Sequence, residues 1–235
     1  ELADRQAEAH PHSVRVDPWT KRWALVPDLG KDTCLVYGYD SEHGTLSGAD
    51  STPRHFVTRA GAGPRHLDFS PPSRKEHLVY LLNELDATLN VLEFDDKAGT
   101  LAERQTVSLL PYFVKPDRRG HCGSSDVHIH PNGKFLYASN RTNHSIAIFS
   151  VAEDTGHLAL LKHVECGGKT PRQFQIAPSG EFLIVANQAS SDLATFVIDQ
   201  ATGMLSAPAI TPIPDSPRCV CIIEEPAAKA GTLSD

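Results

Sequence analysis

Short apolar runs alternate with turns along most of the chain. Between residues 61 and 95, strand-like runs at residues 78–82 and 89–94 follow a first alternating stretch, and Gly-Pro and Pro-Pro pairs mark the turns. Turn signals about every eight to twelve residues between short β-rich runs indicate antiparallel strands. Charged residues stand where these strands meet loops: Arg65 and His66 precede one strand, and Glu84 follows the next. A rigid sheet usually presents its chemistry at such places.

The same pattern recurs along the chain. Four segments superimpose, and their closing prolines are 53, 60 and 47 residues apart: PHSVRVDP, PRHLDFSP, SSDVHIHP and PRQFQIAP. Each is followed by a strand, a polar turn, a strand that ends near an acid, and a Gly-containing turn before a leucine (HGTLS, AGTLA, TGHLAL, TGMLS). A unit of about 50 residues with three or four short strands is typical of a β-propeller blade. Parallel α/β folds need helical spacers, which this sequence lacks. The sequence therefore predicts an all-β propeller with about four complete blades.

The end of the repeat array defines the predicted domain. After residue 216 only one further strand follows, SPRCVCII, so that its blade would need strands from elsewhere. We therefore expect a single, N-terminally incomplete propeller domain over residues 1–225, which is part of a larger propeller, and a flexible tail over residues 226–235. The longest departure from the repeat, residues 109–124, is expected to be a loop over one face. Either a lid or a plain surface insertion would fit it.

Composition narrows the class of protein. A net charge of −7 and the lack of a basic run argue against nucleic-acid binding, and the apolar runs are too short to cross a bilayer. The five cysteines form no CxxC pair, which favours reduced thiols packed in the core of a cytoplasmic protein. Cys219 and Cys221 are expected to share one core-facing side of a strand. We expect a monomer.

Equivalent positions of successive blades converge on the central channel of a propeller, so repeated charged positions become a ring. One set lies at the entry of each first strand and the other at the exit of each second strand. The first set is His12, Arg65-His66, Asp126 with His128, Arg172 and Arg218, and the second is Asp28, Glu84, Asn140-Arg141 and Asn187-Gln188.

This ring has two interpretations. Arginine forks bind carboxylate or phosphate bidentately, so several of them around one mouth indicate a small anionic ligand, and a carboxylate and an imidazole beside them could move protons. Alternatively, the charges tie neighbouring blades together as ion pairs. Two HxH pairs, His10 with His12 and His128 with His130, could chelate a metal, but no Cys or acid completes either site at a familiar spacing. We expect no metal.

Several segments together resemble one family. They are RQAEAHPHSV, VPDLGKD, GAGPRHLDFSP, YLLNEL, DVHIHPNGKFLYASNRTNHSIAIF and GGKTPRQFQIAPSGEFLIVANQ. The chain, from about residue 5 to 223, is similar to the lactonase family of seven-bladed propellers, which contains bacterial-type 6-phosphogluconolactonases and the fungal carboxy-cis,cis-muconate cyclase. Members of the family are longer, so the resemblance implies that two to three N-terminal blades are missing from this sequence.

The resemblance also implies an activity and a set of residues. Its catalytic positions are His12, Arg65, Glu84 and Arg141, and its substrate-binding positions are His66, Asp126, Arg172 and Asn187. The implied reaction is hydrolysis of a sugar δ-lactone, chiefly 6-phosphogluconolactone. Glu84 or His12 would take a proton from water, and an arginine would meet the oxyanion. No cofactor is expected, because a lactone is already an activated ester.

Other activities stay open at this point. A lactonising isomerase of the carboxymuconate type would use the arginines to hold carboxylates, and a non-catalytic propeller would use the same mouth to bind a partner. The basic loop of residues 117–122 is longer than expected for the family, which leaves the exact substrate open, and an incomplete chain could itself be inactive.

Overall fold

The computed structural model describes residues 5–47, 54–111 and 123–223, and every regular element in those ranges is a β-strand. No helix long and apolar enough to span a membrane occurs in that part of the chain. Sheet 1 consists of β1 (Arg15–Val16), β2 (Trp23–Asp28), β3 (Thr33–Asp40), β4 (Thr45–Ser47) and β5 (Arg54–Val57).

The other three sheets have four strands each. Sheet 2 consists of β6 (Pro64–Phe69), β7 (Leu78–Asn83), β8 (Thr88–Asp95) and β9 (Thr100–Ser108). Sheet 3 consists of β10 (Ser124–Ile129), β11 (Phe135–Asn140), β12 (Ser145–Val151) and β13 (Leu158–Glu165). Sheet 4 consists of β14 (Pro171–Ile176), β15 (Phe182–Asn187), β16 (Asp192–Val197) and β17 (Ala209–Pro212).

Each sheet is an antiparallel meander in which consecutive strands are neighbours; in sheet 1, β4 and β5 pair with opposite ends of β3. The first strand of sheet 3 lies against the first strands of sheets 2 and 4. These sheets confirm the prediction of an all-β fold built from four repeated blades.

The hydrophobic core lies between the sheets. One buried cluster joins sheets 1 and 2, a second joins sheets 2 and 3, and a third joins sheets 3 and 4. The alternation along β11 shows the reason: Leu136 and Ala138 face sheet 2, whereas Phe135 and Tyr137 face sheet 4. Both faces of an inner sheet are therefore apolar, and each sheet needs its neighbours to bury them.

A β-bulge recurs at the start of three first strands. The register shifts between Pro64 and His66, between Ser124 and Asp126, and between Pro171 and Gln173, so that one extra residue stands in each strand. Those extra residues are Arg65, Ser125 and Arg172. A bulge changes the direction of side chains at the end of a strand. Here it occurs where the predicted ring of charged residues begins.

Two predictions for the end of the chain are wrong. Residues 216–223 form no strand within the described chain, and Cys219 and Cys221 are exposed, because that segment is held by side chains of sheet 4 rather than by a backbone ladder. The fourth strand of sheet 4 begins at Ala209, shortly after the TGMLS turn.

Cys34 and Cys166 are buried as expected. Cys122, most of the loop of residues 109–124, and the tail of residues 226–235 lie outside the described residues.

Candidate active site

The strand ends bring the candidate residues to one edge of the sheets. Arg65 and Arg172 are the bulge residues at the start of β6 and β14, while Glu84 and Arg141 directly follow β7 and β11. In an antiparallel pair the start of one strand lies beside the end of the next, so these positions share an edge. His12 reaches the same edge from the segment before β1, where its amide donates to Pro27 O.

Glu84 is the centre of this group, which we call the Glu84 cluster: Arg5, His12, Arg65, Glu84 and Arg141. The Glu84 side chain is only 2% exposed, and both of its oxygens accept from guanidinium groups. Oε2 lies 2.6 Å from Nη1 of Arg65, whereas Oε1 lies 2.8 Å from Nη1 of Arg5 and 3.0 Å from Nη2 of Arg141. One buried carboxylate therefore holds three arginines together.

His12 completes the Glu84 cluster. Nη1 of Arg65 donates to Nε2 of His12 at 2.8 Å, and this nitrogen lies 4.0 Å from Oε2 of Glu84. Arg65 also donates from Nε to the carbonyl oxygen of Ser125, 2.9 Å away. The four residues predicted to be catalytic thus meet in one place.

The environment sets the charges of these groups. Burial favours the neutral acid of Glu84 and so raises its pKa. The positive charges of Arg141, Arg65 and Arg5 have the larger effect and lower the pKa of Glu84 to about 2. Burial, assisted by Arg65, lowers the pKa of His12 to about 4. Burial also lowers the pKa of Arg65 to about 10, so its guanidinium remains charged at neutral pH. With three cations, one anion and a neutral imidazole, the cluster has an excess of positive charge that suits an anionic ligand.

Arg172 lies beside the cluster. Burial, followed by the positive charges of Arg141 and Arg218, lowers the pKa of its side chain. Its Nη1 donates to Oε1 of Gln188 over 3.4 Å, a long contact that constrains the guanidinium only weakly. Arg172 therefore extends the positive region without being tied to Glu84.

His66 and Asp126 belong to a second group of charged residues that continues along the first strands. Nδ1 of His66 lies 2.6 Å from Oδ1 of Asp126, and the ring centroids of His66 and His12 are 6.2 Å apart. The other oxygen of Asp126 lies 3.2 Å from Nε2 of His128, whose Nδ1 lies 3.5 Å from Asp68.

Asn187 does not join either group. Its side chain is fully buried, and its amide donates to Cys166 O and to Asp192, so that it holds the turn after β15. These contacts argue for a structural role over the predicted substrate-binding role. Asp28 likewise accepts from the amides of Gly30 and Lys31 and caps its own turn.

Arg5 is the cluster residue that the sequence did not single out. It precedes the first repeat, so no equivalent position elsewhere in the chain marks it; the only signal is that it begins the RQAEAHPHSV segment. No group of three or more His, Cys, Asp or Glu that could hold a metal ion occurs in the described ranges. In one of the HxH pairs, Nε2 of His130 bonds Gly180 O.

Comparison with known families matches residues 2–222 to a family described as lactonase, seven-bladed β-propeller. The chain is 37% identical over 165 residues to the 6-phosphogluconolactonase of Pectobacterium carotovorum, which covers 70% of this chain and 46% of that protein. It is 34% identical over 171 residues to the 6-phosphogluconolactonase of Bacillus subtilis, with 73% and 45% covered. The chain thus matches about half the length of these relatives.

Two solved structures have a fold similar to that of this chain. The periplasmic gluconolactonase of Pseudomonas aeruginosa superimposes with a TM-score of 0.82 at 31% identity, covering 94% of this chain and 59% of that one. A protein from Lactobacillus plantarum gives a TM-score of 0.79 at 30% identity, covering 90% of this chain and 57% of the other.

Proposed function

Because the chain belongs to the lactonase family of seven-bladed β-propellers, we propose that it hydrolyses a sugar δ-lactone at the Glu84 cluster. The proposed substrate is 6-phosphoglucono-δ-lactone, the substrate type named by the curated relatives. The products are the open-chain hydroxy carboxylate and a proton, and the reaction needs water alone as co-reactant.

The observation that carries this proposal is the ion-pair arrangement around Glu84. Three guanidinium groups meet on one buried carboxylate, so they are held in fixed orientations before any substrate arrives. Attack of water on a lactone carbonyl places negative charge on the carbonyl oxygen. Preorganised donors at that oxygen contribute roughly 3–4 kcal/mol to transition-state stabilisation in ester-cleaving enzymes.

We assign the oxyanion contact to Arg65 and Arg141. Arg65 is fixed on three sides, by Glu84, His12 and Ser125 O, and Arg141 by Glu84 and Gly123 O. Glu84 then acts mainly as the anchor of both, rather than as the proton acceptor that the sequence suggested.

Arg172 is our candidate for the phosphate. The charges of Arg141 and Arg218 act on it, and among the described residues its one hydrogen bond is the long contact to Gln188. A guanidinium that is charged and weakly tied can turn toward a phosphate and bind it bidentately. On this basis the phosphorylated lactone should be hydrolysed with a higher kcat/KM than glucono-δ-lactone.

The direct test measures acid release from both lactones by the purified chain and by Arg65→Lys. Lysine keeps the charge but loses the planar fork, so kcat should fall by about 100-fold or more. The matched control is Arg104→Lys, which alters an arginine paired with Glu93 on the outer strands and should keep the activity of the unaltered protein.

Three outcomes would contradict the proposal. The unaltered chain could fail to accelerate hydrolysis of either lactone, or Arg65→Lys could retain full activity. Conversion of a carboxymuconate to its lactone, without lactone hydrolysis, would instead assign the isomerase activity to the chain.

A further inference from the structure

We propose that His66, held by Asp126, is the general base that removes the proton from the attacking water. The inference rests on the proposed lactone hydrolysis. His66 lies outside the Glu84 cluster, in the second group of charged residues along the first strands.

The two bases expected from the sequence are already engaged. Both oxygens of Glu84 accept from arginines, and Nε2 of His12 accepts from Arg65. To take a proton, either group would have to give up a charge-assisted bond, and their lowered pKa values make both of them weak bases at neutral pH.

His66 is in a different situation. A carboxylate can only accept, so the contact of 2.6 Å to Asp126 places the proton of the neutral imidazole on Nδ1. The lone pair is then on Nε2, to which the described residues offer no hydrogen-bond partner. The side chain is 23% exposed, and its ring lies edge-on to that of His12, 6.2 Å away between centroids. A base with a free lone pair therefore stands beside the arginines.

The carboxylate of Asp126 is kept ionised. Burial favours its neutral acid, but His128 and His66 hold its pKa well below the usual range. Burial opposes the charge of His128 as well, yet Asp126 and Asp68 raise its pKa to about 10, so it stays cationic at neutral pH. Arg15 in turn pairs with Asp68 at 3.0 Å. Because positive and negative groups alternate in this row, Asp126 stays ionised and can accept a hydrogen bond from His66.

A purely structural role for Asp126 accounts for only part of its contacts. Its Oδ2 accepts from the amide of Phe174 and so ties sheet 3 to sheet 4. Gln173, at the equivalent position of sheet 4, accepts from the amide of Val220 through a neutral side chain. A tie between blades therefore needs no acid, whereas orientation of an imidazole does.

The reaction then proceeds in two steps. Water oxygen bonds to the carbonyl carbon while Nε2 of His66 takes a water proton, and the carbonyl electron pair moves to the oxygen held by Arg65 and Arg141. When the tetrahedral intermediate collapses, the ring C–O bond breaks and His66 returns the proton to the leaving oxygen. Asp126 stabilises the imidazolium in between.

The test compares His66→Gln, His66→Gly and the unaltered chain with 6-phosphoglucono-δ-lactone. We expect His66→Gln to lose about 100-fold or more in kcat with little change in KM, and added imidazole to restore part of the activity of His66→Gly. The matched control is His43→Gln, which removes an exposed imidazole that makes the same kind of contact with Asp40, at 2.7 Å, and should keep normal kcat. A kcat of His66→Gln within twofold of normal would overturn the inference, as would a change in KM alone.

A second readout does not depend on activity. Imidazole ¹⁵N NMR should show His66 as the Nδ1–H tautomer, and Asp126→Asn, whose amide donates instead, should shift it toward Nε2–H and lower kcat. If the unaltered chain hydrolyses no lactone, the proposed function fails. The Nδ1–H tautomer and its shift in Asp126→Asn would then still support a base at His66, and an Nε2–H tautomer in the unaltered chain would overturn it.

Discussion

A single carboxylate, Glu84, determines how the arginines of the candidate site are arranged. Without it, Arg5, Arg65 and Arg141 would repel one another in a partly buried space, at a considerable desolvation cost. With it, each guanidinium has a fixed partner, and the cluster still keeps a net positive charge for a ligand. The same residue therefore stabilises the fold and organises the site.

We predict that Glu84→Gln destabilises the protein by roughly 3–5 kcal/mol at pH 7, because three arginines lose their buried counter-charge. The difference should depend on pH. The folded pKa of Glu84 is depressed from 4.5 to about 2, so its contribution is present above pH 4.5 and is lost as the pH falls through 2. That shift corresponds to a contribution on the order of 3 kcal/mol.

Urea unfolding of both proteins between pH 7 and pH 3 checks this prediction. The two stability curves should run parallel above about pH 5 and converge below it. A control, Glu93→Gln, alters a half-exposed acid and should follow the unaltered protein throughout. A constant gap between the Glu84→Gln and unaltered curves down to pH 3 would mean that the carboxylate is not stabilised by the arginines.

At the residue scale, repetition is what made the site predictable. His12, Arg65, Glu84 and Arg141 occupy corresponding blade positions, so a ring could be inferred without coordinates, and the structure places them together. Arg5 lies outside the repeats and was missed. The hydrogen bonds that occupy both oxygens of Glu84, and the burial of Asn187, depend on residues that become neighbours only in the folded protein. The spacing of residues along the sequence does not reveal them.

At the element scale, the first strands of sheets 2, 3 and 4 begin with the same backbone conformation. Residues Gly63, Gly123 and Thr170 have φ values of 67°, 68° and 63°, and the bulge residue follows two positions later in each case. Two of the three are glycines, which adopt this left-handed conformation without strain. The bulges turn Arg65 and Arg172 toward the candidate site, while Ser125 donates to Pro171 O and links sheet 3 to sheet 4.

Hydrogen bonds to the side chains of Gln173 and Gln175 hold the segment after sheet 4. Their Oε1 atoms accept from the amides of Val220 and Ile222. In the double variant Gln173→Leu/Gln175→Leu, we predict faster hydrogen exchange of those two amides and unchanged protection of the amides of β15 and β16. We expect this because the described residues offer the amides of Val220 and Ile222 no hydrogen-bond partner on a neighbouring strand.

Gln105→Leu provides the control for this prediction. Gln105 accepts from the amide of Leu158 at 2.7 Å and so makes an equivalent link between sheets 2 and 3. Its replacement should expose the Leu158 amide and leave Val220 and Ile222 as they were. Unchanged exchange at Val220 and Ile222 in the double variant would show that another interaction holds the segment.

Strand positions were predicted well wherever an element repeats and pairs with a backbone neighbour. The predicted strands at residues 78–82 and 89–94 match β7 and β8 to within a few residues, and the predicted order of strand, turn and strand recurs in sheets 1, 3 and 4. SPRCVCII has the same alternation but forms no strand, because alternation reports which faces are apolar and does not supply a partner strand. Its two cysteines are exposed for the same reason.

At the scale of the whole molecule, stability is shared between sheets. Each buried cluster takes residues from two neighbouring sheets, and the two faces of sheets 2 and 3 belong to different clusters. A blade on its own would expose both apolar faces. Nearest-neighbour interfaces of this kind couple the unfolding of one repeat to the next.

Both tryptophans, Trp19 and Trp23, belong to the first repeat and pack against the cluster between sheets 1 and 2. Ile148 lies in the cluster between sheets 3 and 4 and is fully buried. We predict that Ile148→Ala lowers the free energy of unfolding by roughly 2–5 kcal/mol. If the sheets unfold together, the unfolding curves from tryptophan fluorescence and from far-ultraviolet circular dichroism should then shift to the same lower urea midpoint.

The control is Val197→Ala, at an exposed position of β16, which should change the free energy of unfolding from either signal by no more than about 0.5 kcal/mol. A fluorescence midpoint that stays in place while the dichroism midpoint falls would show that the first repeat unfolds independently, and that the shared cores do not bind the sheets into one cooperative unit.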